Sequence, residues 1–358
     1  MATTISSASS ESSVCRPMPN DKKRRGRGAA AKSWRRWRDA GWQWWRADSL
    51  AAKWRRWGGF VLLALALFLV FLFLVFRSTG PRYGAVWNEF SGEKALAHVQ
   101  ALVDLGPRPP ESAAIKKARG YIRRYLEETG WQVEEQPFTD QTPRGSISFV
   151  NLIARRPNQP RHAKYFLLCS HYDTKTFESI RFVGANDGGS STGALLEMAR
   201  VLSLHLALAA QIELVFFDGE EAYDTFSATD GLYGSRYFAR QISEAKTGKT
   251  YRGGILWDMM GDRDLTITLP LDSPADLARD IFAAADALQV RNHFTYFSQD
   301  ILDDHSPLDA IGIPTIDLID FDYPPWHTAG DTMDKLSAQS LQTVGAVTLY
   351  YLSELAFK

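Results

Sequence analysis

Five residues of metal-ligand type follow apolar runs in this 358-residue chain: His171, Asp187, Glu221, Asp258 and His327. A histidine and carboxylate set with no thiol suits zinc, and a catalytic zinc keeps one position open for water or substrate. The five could supply one zinc or a pair. Glu220 stands directly before Glu221, so one carboxylate can bind metal while its neighbour acts as general base and acid. Other carboxylates close by would raise the pKa of that neighbour toward the useful range. Taken singly, each residue has a plainer role. A histidine after a strand often caps a helix or faces solvent, Glu220-Glu221 could be a solvated acidic turn, and Asp187 could steady a glycine turn. Together, five such residues at five strand ends make coincidence a weak explanation.

The elements that must position them alternate between strands and helices from about Trp87 onward. Helical spacing covers Glu93–Leu105, Glu111–Thr129, Gly193–Leu208, Leu232–Ile242, Pro274–Leu288 and Ser337–Leu355. The second of these opens after Pro109-Pro110 and closes at Gly130, as helix boundaries commonly do. Short apolar runs at Ile147–Ala154, Tyr165–Cys169, Ile212–Phe217, Ile255–Met260 and Thr315–Ile319 read as strands. Strands apolar throughout and separated by helices predict a mostly parallel sheet covered on both faces. Ligands of such sheets gather at the carboxyl ends of the strands, where all five candidate ligands fall. His98, His162, His205 and His293 lie elsewhere and read as structural or exposed.

The formal net charge is zero, with 41 basic and 41 acidic residues. Residues 1–56 hold 14 Lys/Arg against 4 Asp/Glu, which leaves 27 against 37 for the rest. A +10 tail therefore cancels a −10 body. Between them runs Phe60–Phe76, 17 apolar residues without a break. About 17 to 25 such residues span a bilayer, whereas secretory h-regions are about 7–15 residues long. The expected organisation is a basic Trp/Arg-rich cytoplasmic tail at 1–56, a transmembrane helix at 57–77 and a catalytic domain at 78–358. The Lys/Arg bias places the tail inside and the body outside the membrane, with a bacterial periplasm or cell surface favoured. Seven of the eleven tryptophans fall at or before Trp57, interleaved with arginine, a pattern that suits the anionic inner leaflet. No nucleic acid is expected as a partner. Cys15 and Cys169 alone exclude a disulfide scaffold or a Cys-rich zinc module.

His171-Tyr172-Asp173, Gly184-Ala185-Asn186-Asp187, Phe216-Phe217-Asp218-Gly219-Glu220-Glu221-Ala222, Leu232-Tyr233-Gly234-Ser235-Arg236 and Trp326-His327-Thr328 resemble the glutaminyl-peptide cyclotransferases. These belong to the zinc aminopeptidase superfamily. The resemblance runs over about residues 87–358 and includes Gly106-Pro107-Arg108-Pro109. It implies a three-layer α/β/α fold with a mostly parallel central sheet, here preceded by the membrane helix. It further implies zinc on Asp187, Glu221 and His327, and Glu220 as the proton-transfer residue with Asp258 and Asp303 in hydrogen-bonded support. Asp303-Asp304-His305 looks like the cyclotransferase triplet. Trp326, Phe226 and Tyr323 would line the substrate pocket, and the substrate would be the N-terminus of a peptide or protein.

The same residues leave a zinc aminopeptidase open. In that reading His171 and Asp258 complete a second metal position, and Glu220 activates a metal-bound water. Gly188-Gly189-Ser190-Ser191-Thr192-Gly193 is closer to the peptidase form of that turn, and Asp317 stands where cyclotransferases can carry histidine. A non-catalytic receptor or scaffold on the same fold is the third reading; such domains typically lose ligands, and this one keeps them.

Overall fold

Strand β3 (Lys164–His171) is buried from Tyr165 to its end, and its side chains divide between two cores. Phe166 and Leu168 enter one apolar cluster, Leu167 and Cys169 the other. Successive strand side chains point to opposite faces, so a strand covered on both sides must be apolar throughout. β4 (Ile212–Phe217) and β5 (Thr250–Asp258) repeat the division. Leu214, Phe216, Ile255 and Trp257 join the first cluster, and Val215, Phe217 and Leu256 the second.

These strands belong to an eight-stranded sheet in the order β1-β2-β4-β3-β5-β8-β6-β7. The others are β1 (Gln132–Thr142), β2 (Gly145–Arg155), β6 (Ile267–Leu269), β7 (Phe294–Tyr296) and β8 (Thr315–Ile319). The central four, β4, β3, β5 and β8, run parallel. Antiparallel pairs join β1 to β2, β2 to β4 and β6 to β8. Helices Gly92–Val103, Ala113–Glu128, Gly189–Leu204, Ala275–Ala287 and Ala338–Tyr351 pack on the first face, through residues such as Val99, Ile115, Leu195, Ile281 and Val344. Tyr233–Glu244 and His305–Ala310 cover the second face through Phe238, Ala239 and Leu308. The fold is mixed α/β with a mostly parallel sheet, and its helices form a layer on each side.

This computed structural model describes residues 58, 60–72, 84–157, 159, 164–245 and 250–357. Two compact units divide it, Met1–Thr79 and Gly80–Lys358. In the first, residues 60–72 are helical, with side chains such as Phe60, Leu62 and Leu67 largely exposed. Among the described residues no helix is long and apolar enough to cross a membrane. The rest of the expected span, the basic tail, Cys15 and His162 lie outside the described residues.

Several boundaries differ from the sequence reading. β1 was not anticipated, because Gln132, Glu134, Glu135, Gln136 and Asp140 give no apolar run and it pairs on one edge only. The helix expected from Gly193 begins at Gly189 and ends at Leu204, and a short second helix follows at Leu206–Ala209. β5 stops at Asp258, where Met259 takes a left-handed φ of 44°.

One packing contact makes a clear stability prediction. A Cβ on Gly92 would sit 1.8 Å from the backbone oxygen of Ala338, where two helices meet. Gly92→Ala is expected to cost about 1–3 kcal/mol, the usual penalty of overpacking, read as a lower midpoint in thermal unfolding. An unchanged midpoint would show that the two helices can separate without penalty.

Candidate active site

The parallel registers bring the strand ends level. His171 pairs with Phe217 at the end of β4, and Asp258 with Ile319 at the end of β8. The residues that follow therefore share one rim. His171 Nε2 lies 3.2 Å from Asp258 Oδ1 and 3.3 Å from Asp187 Oδ1. His327 Nε2 lies 3.2 Å from Glu221 Oε2 and 3.4 Å from Asp187 Oδ2. Two ligand sets result, His171/Asp187/Asp258 and Asp187/Glu221/His327, and Asp187 gives one oxygen to each.

These spacings fit a metal ion. Ligand atoms about 2.0–2.1 Å from a tetrahedral zinc are about 3.3–3.4 Å from each other. Asp187 Oδ2 has no aligned hydrogen-bond donor despite its nearness to His327, as expected of atoms aimed at a shared centre rather than at each other. Charge agrees. Burial alone would lower the His171 imidazole, but Asp173, Asp187 and Asp258 hold it well above its ordinary value. Burial likewise opposes His327, yet Asp187 and Glu221 raise it to about 9. Both rings thus sit among carboxylates that favour positive charge, an environment that suits a divalent cation.

A second layer fixes the ligands. Gly188, at φ +74°, turns the chain after Asp187 where a Cβ would meet Asp173 O at 2.6 Å and His171 Cε1 at 2.9 Å. Asp331 accepts the backbone N–H groups of Asn186 (2.8 Å) and Asp187 (3.1 Å). Asp173 accepts those of Glu220 (3.1 Å) and Glu221 (3.4 Å), and its Oδ1 stands 3.5 Å from His171 Nδ1. Lys175 donates its backbone N–H to Glu221 Oε1 at 3.1 Å. Arg108 is fully buried and donates to the carbonyls of Tyr172, Val183 and Gly184 around the same turns. None of Asp173, Lys175 or Asp331 was assigned a role from sequence. Asp173 stood in a quoted motif, but its value lies in accepting backbone N–H groups, which no spacing reveals.

Glu220 lines a cavity of about 240 Å³, with Phe226, Asp258, Asp303, Trp326 and His327 among the other walls. Burial raises its carboxyl well above the usual range, and the charge of Asp303 adds to this. Asp303 is raised in the same way, by burial and then by Asp258. Trp326, 37% exposed, stacks on the His327 ring at 4.1 Å between centroids and forms part of the cavity rim. Phe226, another wall of the cavity, lies under the Lys175 ammonium at 5.5 Å from the ring centroid.

Over residues 151–352 the chain matches the model of peptidase family M28. The chain belongs to that family. The glutaminyl-peptide cyclotransferase-like protein of Mus musculus is 30% identical over 277 residues, covering 69% of this chain and 72% of that protein. The solved glutaminyl cyclase of an Acidobacteriales bacterium superposes with a TM-score of 0.69 at 36% identity, over 74% of this chain and 94% of that one. A Zn-dependent exopeptidase from Parabacteroides distasonis superposes with a TM-score of 0.68 at 27% identity, over 74% and 99%. The M28 chain is thus similar both to cyclases and to an exopeptidase.

Within this M28 domain the expected ligands all converge. Asp258 accepts from the N–H of Met259 at Oδ1, which also lies against His171, and it shares the cavity wall with Glu220. Tyr323 is buried, donates its hydroxyl to Asp331 at 2.8 Å and is not among the cavity walls. Asp317 lies on the second face of the sheet, 3.8 Å from His305 Nδ1. His98 bonds the Tyr121 hydroxyl at 2.6 Å, His205 pairs with Glu89, and His293 meets the Leu265 carbonyl.

Proposed function

We propose that this chain is a membrane-anchored, zinc-dependent glutaminyl-peptide cyclotransferase. The observation that carries the reading is the small cavity of about 240 Å³ in which Glu220 lies beside Asp187 and His327, two members of one ligand set, beneath aromatic walls. A space of that size takes a single N-terminal residue, and its walls offer a proton carrier beside a Lewis-acid position.

Asp187, Glu221 and His327 would hold the zinc, which when bound supplies Lewis acidity to the side-chain carbonyl of the N-terminal glutamine. Glu220 takes a proton from the α-amine as its nitrogen bonds to the side-chain amide carbon. The same carboxyl then returns that proton to the departing nitrogen, which leaves as ammonia, and pyroglutamate remains. A carboxyl raised by burial is suited to both transfers, because its affinity for the proton lies nearer that of its partners. Burial, and beside it the neighbouring Asp303, keeps that affinity high. Trp326 and Phe226 hold the glutamine against solvent. The apolar run 60–76 would fix the protein in a bilayer with residues 1–56 on the cytoplasmic side, against anionic lipid, and the M28 domain beyond the membrane.

A second reading rests on a separate observation, the convergence of His171 and Asp258 on the free side of Asp187. Two metals there would suit an aminopeptidase. The deciding experiment offers the full-length protein a Gln-initiated and a Leu-initiated peptide, with and without a chelator. Ammonia release from the first, abolished by chelation and restored by zinc, is the expected result. Free leucine without ammonia would replace cyclisation by peptidase chemistry.

A further inference from the structure

On the cyclotransferase reading the cavity of about 240 Å³ receives the first residue, and the remainder of a substrate leaves it across the rim. One rim residue, Leu302, is 48% exposed and also lines a second, larger depression of about 500 Å³. That depression is a groove between the helices Tyr233–Glu244 and His305–Ala310. Both walls are joined to the cavity by hydrogen bonds. Leu232, at the head of one helix, donates its N–H to the backbone oxygen of Glu220 at 2.7 Å. Ser306, on the other, donates to the backbone oxygen of Asp303 at 2.8 Å. The groove thus begins where the catalytic loop ends.

Its chemistry is asymmetric. Pro307 and Ile311 give an apolar wall on one side, while Arg236 and Arg240 stand one turn apart on the other. Arg236 is tied to the Ser227 carbonyl, but Arg240 is exposed, with its guanidinium 5.2 Å from the Tyr237 ring centroid. Glu244 follows a further turn along. No role in proton transfer or metal binding falls to any of these side chains.

We infer that this groove is a substrate subsite that receives the residues after the N-terminal glutamine and favours acidic side chains there. The inference rests on the cyclotransferase reading and names its substrate class: peptides carrying Asp or Glu shortly after the first residue. An extended chain leaving over Leu302 lays its apolar atoms on Pro307 and Ile311 and brings a carboxylate within reach of Arg240. Exposed pairs of this kind are modest, so the effect belongs in KM rather than kcat.

The test compares Gln-initiated peptides with either glutamates or lysines in the following positions, using the full-length protein at low ionic strength. KM is expected to be about three- to fivefold lower for the acidic series, with equal kcat, and the difference should fade at high salt. Arg240→Glu should cancel or reverse the preference. Because the basic tail attracts acidic peptides in both proteins, the comparison between wild type and variant isolates the groove. Fluorescence anisotropy of the same peptides, labelled at the C-terminus, separates two failures. Charge-dependent binding that Arg240→Glu abolishes, without ammonia release, would overturn the reaction and keep the groove. Turnover with no charge preference, or a preference that survives Arg240→Glu, would overturn the groove and keep the reaction.

Discussion

Glu220→Gln is expected to lower kcat by about 10²- to 10⁴-fold while zinc content and the unfolding midpoint stay near wild type. With Asp300 and Asp303, Glu220 is one of three carboxylates on the cavity wall that belong to neither ligand set. It is nevertheless buried and raised well above the usual carboxylate range, by desolvation first and by Asp303 second. Glutamine has nearly the same shape but can neither take up nor return a proton. Its neighbour provides the contrast. Glu221→Gln leaves the Glu220 carboxyl in place but removes an anionic oxygen that stands 3.2 Å from His327 Nε2. That variant should lose zinc as well as rate, and added zinc should partly restore it, whereas Glu220→Gln should not respond to added zinc. Parallel metal analysis and turnover of a Gln-initiated peptide separate the two. If Glu220→Gln kept more than about a tenth of wild-type kcat, general acid–base transfer would have to be reassigned, and with it the proposed chemistry.

What the sequence revealed of this site follows from how each part is encoded. Ligands at the ends of β3, β4 and β5 were visible because strands buried on both faces are unbroken apolar runs, and the first polar residues after them must lie at the rim. β1 left no such mark: it is an edge strand, buried only at Phe138, and its polar residues satisfy neither template. The helix expected from Gly193 leaves Gly188-Gly189-Ser190-Ser191-Thr192 in the turn before it. In the fold these residues form the buried first turn of a helix, with Ser190 Oγ bonded to the Asn186 carbonyl and Thr192 Oγ1 to that of His171. The resemblance implies Tyr323 as a pocket residue, yet its hydroxyl is turned toward Asp331. Residues that act by accepting backbone N–H groups, Asp173 and Asp331, carry no periodicity and no spacing rule. Only the folded turns show which N–H groups they collect. The groove at Leu302 is likewise a product of tertiary structure, since its two walls are more than sixty residues apart in the chain.

Asp187→Ala should be the most damaging ligand substitution, because Asp187 alone belongs to both ligand sets. Zinc retention is expected to fall below detection, and kcat/KM by about 10³-fold or more, as several kcal/mol of Lewis-acid stabilisation disappear. His171→Ala then distinguishes the two metal counts. On the one-zinc reading, Asp187, Glu221 and His327 still form a complete set, so the variant should bind one zinc per chain. Its affinity should fall about 10–100-fold, because Asp187 Oδ1 loses the imidazole 3.3 Å away that orients it. Cyclisation should return once zinc is saturating. On the two-zinc reading, wild type would carry two ions, His171→Ala would carry one, and leucine release would be lost beyond rescue. The measurement is zinc per chain at equilibrium, taken with turnover of both peptides. Two zincs in wild type together with an irreversible loss in His171→Ala would move the chain to the aminopeptidase side of its family. One zinc in both proteins, with rescue, would place Asp258 and His171 as the charged support that holds Asp187 toward a single ion.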